Sequence, residues 1–155
     1  MTDVELSSLF SQFEEKAKRL NVASDSINGI IASIEQKLVE ANAGLEYWLA
    51  DHPLASTQPQ ACSDENTGEE TGIGWTEHLL GFTKMMDGWC LACRERWVFR
   101  EYKGNEPIYT DKDTKPLERA TRQIRIRALE IMPEFVQRLC DHTDCAIRAI
   151  EKACQ

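Results

Sequence analysis

An apolar seam constrains this chain more than any other feature; it begins within the first six residues and runs for more than forty. Leu6, Phe10, Phe13, Ala17, Leu20, Ser24, Ile27, Ile31, Ile34, Leu38, Ala41, Leu45 and Trp48 follow one another in alternating steps of four and three. That is the heptad spacing of a helix with one apolar stripe, and Ser24 is its only polar member. The spacing predicts a helix over residues 3–50, about 70 Å long if unbroken. Asn21 to Gly29 is the weak point, because Asn, Ser, Asp and Gly lower helix propensity. The phase of the stripe nevertheless survives that crossing, and a loop would scramble it. Continuity is therefore expected, with His52-Pro53 as the stop.

Residues 53–73 (PLASTQPQACSDENTGEETGI) carry Pro, Ser, Thr, Gly and acid with little to bury, and read as a flexible acidic loop. From Trp75 the period changes. Asp87-Gly88 between two apolar runs is a hairpin signal. On the second run Trp89, Leu91, Cys93, Trp97 and Phe99 share one face, while Cys90, Ala92, Arg94, Arg96, Val98 and Arg100 share the other. Such segregation marks a strand with one buried face. A β-hairpin module over 75–110 follows, with Ile108-Tyr109-Thr110 as a short third strand.

Residues 116–153 read as a second long helix. Thr114 is the expected N-cap, Pro116 falls in the first turn, and Pro133 should kink or divide the helix. The fold expected is α+β and mostly helical, a single domain over 1–155. Its long N- and C-terminal helices would pack antiparallel, with a two- or three-stranded antiparallel β-hairpin between them. Two helices make a thin core, so a homodimer burying both stripes is expected.

Composition narrows the function classes. The net charge of −8 disfavours a general coat for nucleic acid or anionic membrane, both of which need broad positive potential. No apolar run approaches the ~18 residues of a membrane span. Met1-Thr2-Asp3-Val4-Glu5 lacks a signal-peptide pattern, so the expected location is cytoplasmic and the six cysteines are expected as thiols. Cys90, Cys93, Cys140 and Cys145 offer a zinc site as an alternative. Residues three apart on a strand face opposite ways, however, and Cys140 and Cys145 diverge by roughly 140° on a helix. Packing as small apolar groups suits these spacings better. No nucleophile, phosphate-loop or paired-carboxylate pattern occurs, so neither enzymatic activity nor a cofactor is expected.

The basic side chains concentrate between Trp89 and Arg127, and Arg dominates over Lys there. Internal ion pairing with the acidic first helix is the plainest use of them. The functional expectation is a protein-interaction module, an adaptor or regulator that assembles through its long helices. It would hold a protein partner on Arg94, Arg96, Arg100, Arg122, Arg125 and Tyr102, since Arg beside aromatic residues is the usual anchor composition. The second choice is a nucleic-acid-associated regulator using the same strip, with phosphate on the guanidiniums and stacking on Tyr102 and Tyr109.

Overall fold

The computed structural model describes residues 3–104 and 106–155. In chain order they form α1 (Asp3–Ala41), β1 (Tyr47–Leu49), β2 (Ala55–Ser56), β3 (Gln60–Ser63), β4 (Glu70–Met85), β5 (Gly88–Glu101), β6 (Ile108–Pro116), a 3₁₀ turn (Leu117–Arg119) and α2 (Arg122–Ala153). The strands make one antiparallel sheet in the order β1-β4-β5-β6, and β2 and β3 also pair with β4. The expected small hairpin is thus a six-stranded sheet, which corrects the fold expected from the sequence.

Each correction has a local cause. The first helix stops at Ala41 rather than residue 50. Asn42 takes a left-handed φ of 50° and Gly44 one of 65°, with the Asn42 N–H donating to the Val39 carbonyl at 3.0 Å. A left-handed residue just past the last turn is a common helix stop, and it outweighs the continuing heptad. Tyr47, Trp48 and Leu49 then pair with Phe82, Gly81 and Leu80.

The 53–73 segment is no free loop. Its β2 and β3 bond to the first half of β4, while their side chains remain largely exposed. Composition reports what side chains bury, and a backbone ladder needs no apolar side chain. A tight turn joins β3 to β4, with Asp64 Oδ1 accepting from the Asn66 and Thr67 N–H groups at 2.8 and 2.9 Å. Those two bonds hold the Asp64 carboxyl below its ordinary pKa.

The β4–β5 hairpin is much longer than the expected module and is continuous from Gly72↔Glu101 to Met85↔Gly88. Gly88, at φ 120°, leaves the turn in a conformation that suits glycine. Thr114 and Pro116 belong to β6, not to a helix start. The second helix begins at Arg122 behind Thr121, whose hydroxyl accepts from the Ile124 N–H at 3.4 Å. It runs through Pro133 as one element.

The sheet supplies the cover that the sequence assigned to helix–helix contact. Leu49, Leu80, Phe82, Leu91 and Cys93 meet Ile31 of α1 and Ile124, Ala128, Ile131, Phe135 and Leu139 of α2. Phe135 is fully buried, 5.7 Å from the Tyr47 ring. Because each helix rests on the sheet, neither needs an antiparallel partner. The two run in the same sense instead. Asn21 meets Arg122, Asn28 meets Arg125, and farther along Leu38, Val136 and Cys140 line one groove. Glu35 ties α1 to the edge of β5, accepting from the Leu91 N–H at 2.8 Å just where pairing with β6 has ended.

Only the second half of α1 takes part in this core. Among its described side chains Ser24 is the first to be buried. Ahead of it, residues 4–20 form an overhang about 24 Å long. Leu9 is 52% exposed, Phe10 59%, Phe13 67% and Leu20 48%.

Candidate interaction surfaces

Three regions carry the chemistry of this molecule: the sheet face away from the helices, the junction of α1 with α2, and the overhang with the groove beside it.

On the outer sheet face, alternation brings Trp48, Glu77, Leu79, Gly81, Arg94, Arg96, Val98 and Tyr109 to one side. Gly81 is required there, because a Cβ would stand 2.2 Å from the Trp48 ring that lies across it. The Arg94 guanidinium stacks on Trp48 at 3.8 Å from the ring centroid and pairs with Asp111 at 3.4 Å and Glu46 at 3.9 Å. Hydrogen bonds from Thr83 and Trp48, together with Arg94, hold the Glu46 carboxyl below its usual range. Arg96 is bound more tightly. It reaches Glu77 at 2.7 Å with both side chains 12% exposed, donates to the Ala50 carbonyl at 3.0 Å and lies over Tyr109. Trp75 Nε1 donates to the other Glu77 oxygen at 2.9 Å. Leu79, Ala92 and Val98, on the same side, are buried. Charge and aromatic surface on this face therefore satisfy each other within the chain.

The sequence-based set does not converge. Arg94 and Arg96 lie on the outer face, in ion pairs. Arg100 and Tyr102 lie at the far end of β5 and just beyond it, both exposed, with the Tyr102 hydroxyl donating to Glu70 at 3.3 Å. Arg122 and Arg125 lie on the helical side, at the α1 junction.

At that junction Arg122 donates to Asn21 at 3.2 Å and Arg125 donates to Asn28. Among the described residues neither pairs with a carboxylate. Ser24 Oγ and the Nε atoms of both arginines are buried without a partner. This cluster explains the stretch read as the helix's weak point: its polar residues face guanidiniums across a helix crossing.

The cysteines do not gather. Cys90 and Cys93 sit on opposite faces of β5, and Cys140, Cys145 and Cys154 are exposed. Among the described residues, no group of three His, Cys, Asp or Glu side chains is placed to hold a metal ion. His78 Nδ1 lies 3.9 Å from Cys93 Sγ, an arrangement that resembles a nucleophilic pair. Burial pushes the Cys93 thiol up to about 11, which keeps it protonated and unreactive near neutrality.

Beside the overhang's root, α1 and α2 diverge over an apolar groove that sequence reasoning missed. Its first part encloses about 700 Å³ between Ile30, Ile34, Lys37, Met132 and Val136. A second part of about 360 Å³ continues past Leu38 and Cys140 to Leu45, Phe82 and Leu139. Periodicity alone offered no signal for it, since the gap depends on where the helices part.

Among the described residues no helix is long and apolar enough to cross a membrane. The chain matches no family model, and neither a curated protein nor a solved structure is similar to it.

Proposed function

We propose that this protein is a non-enzymatic, cytoplasmic interaction module, an adaptor or regulator that engages other protein through the overhanging half of α1. The observation that carries this reading is the exposure of Leu9, Phe10, Phe13 and Leu20 on a helix whose continuation is anchored in the core. A row of large apolar side chains on a projecting helix costs solvation unless another surface covers it. Arg100 and Tyr102 offer a second, polar contact at the distal end of the hairpin, whereas Arg94 and Arg96 act as scaffold. The nucleic-acid reading draws less support, since two of its five arginines are neutralised by Asp111, Glu46 and Glu77.

The test compares the full chain with its Phe10→Glu/Phe13→Glu variant, each immobilised and exposed to purified self and to a native protein mixture. The wild-type surface is expected to retain a protein, itself or another, that the variant releases, with circular dichroism unchanged. Equal retention by both would refute the assignment.

A further inference from the structure

The overhang and the α1/α2 groove are an apolar rod and an apolar trough of matching length on one chain. Residues 9–20 of the overhang span about 17 Å, as do Ile30 to Ala41 along the groove. The overhang cannot fold back into its own groove, because both belong to one unbroken helix. Resting on the interaction role assigned to this helix, we propose that a second copy of this chain fills the groove. The two α1 helices would run antiparallel about a two-fold axis, each overhang lying in the other protomer's groove.

Closure dictates the orientation. Were the helices parallel, each overhang would reach the next copy's groove only by sliding along the axis, and the chain of contacts would never close. Antiparallel alignment, with facing α1 residues summing to about 49, satisfies both grooves at once and puts the axis between Ser24 and Asp25. Two features agree with that register. Leu9, Lys16, Ala23, Ile30 and Lys37 form one row at seven-residue spacing, so the groove's flank continues along the overhang. Its midpoint is the small residue Ala23, and Ser26 lies one turn farther along, so two helices can approach closely there. Lys37, which lines the first part of the groove as Asp144 lines the second, comes opposite Gln12 and within one turn of Glu15. Covering both overhangs and both grooves removes on the order of 1,000–2,000 Å² from water, the range of a specific interface.

The experiment uses the full chain alone. Light scattering at tens of micromolar is expected to give twice the 17.7 kDa chain mass. Phe13→Glu, at a site exposed in the single chain, should weaken the dimer roughly 100-fold, as for a central anchor residue. For the register, Phe10→Cys should form an intermolecular disulfide with the native Cys140 under mild oxidation, and Phe10→Cys/Cys140→Ser should not. A monomer at these concentrations overturns the homodimer, while capture of a different protein would still uphold the interaction role. A dimer indifferent to Phe13→Glu, or one lacking the Cys140 cross-link, overturns the groove as its seat. Oligomers that keep growing with concentration overturn the closed two-fold pairing.

Discussion

The two halves of α1 share one heptad stripe and meet opposite fates. From Ser24 onward the stripe lies on a sheet: Ile31 is 3% exposed, Ile27, Ile34 and Leu38 pack against the same core, and Glu35 bonds the β5 edge. Ahead of Ser24 the same spacing, with larger side chains, meets solvent. The contrast teaches that an apolar period states a demand for cover without naming its source. For one half the source is the chain's own sheet; for the other it lies outside the single chain.

Amide hydrogen exchange should show the contrast most strongly. In dilute solution the amides of residues 4–20 are expected to exchange orders of magnitude faster than those of residues 27–38, with the gap narrowing as the protein is concentrated. Uniform protection along α1 in dilute solution would erase the distinction. Truncation should separate the halves next. Ile31→Ala is expected to cost about 2–4 kcal/mol in denaturant unfolding. Phe13→Ala, measured where chains remain apart, should stay within about 0.5 kcal/mol.

The covered core should also report its dryness through Cys93. Its thiol ordinarily titrates near 9.0 and is raised by burial to about 11 in the fold. Above pH 9 the unfolded chain therefore loses a proton that the folded chain keeps, so stability should fall by on the order of 2 kcal/mol up to pH 11. Cys93→Ala should remove that slope from the pH dependence of unfolding, and an unchanged slope would assign it to other groups. Glu35→Ala leaves the Leu91 N–H without its acceptor and should cost about 1–2 kcal/mol, read from the same unfolding curves. A change of opposite sign belongs to the boundary. Ser24→Ala deletes a buried hydroxyl that has no partner and should be neutral or stabilising by under about 1 kcal/mol.

Much of the local structure was legible in the residues. The α1 stripe, the Asp87-Gly88 reversal and the two-faced pattern of Trp89 to Arg100 each correspond to an element, because each is set by interactions within a few residues. The failures were of another kind. Asn42-Ala43-Gly44 stops α1 although the heptad continues, since backbone conformation at two residues outweighs a stripe that has found other cover. Residues 55–56 and 60–63 became strands with little apolar content, because β4 offered unpaired backbone groups. Thr114 lost its capping role to Thr121 once β6 had claimed residues 108–116. Of the candidate surface residues, the sequence marked Arg94, Arg96, Arg122 and Arg125 as a dense run of charge, and the fold parts them between the outer sheet face and the α1 junction. The sequence could not tell that Asp111, Glu46 and Glu77 would neutralise two of them while neutral amides received the others.

By itself, then, the sequence determined period, turn chemistry and charge, all of which act over one or two turns of chain. Tertiary structure alone decided that the sheet covers both helices and that they run in the same sense. It also decided that their divergence opens a groove and that seventeen residues of α1 reach beyond the body. These outcomes depend on which distant surfaces meet, and burial energy is set by the area two surfaces share, whatever the order in which the chain supplies them.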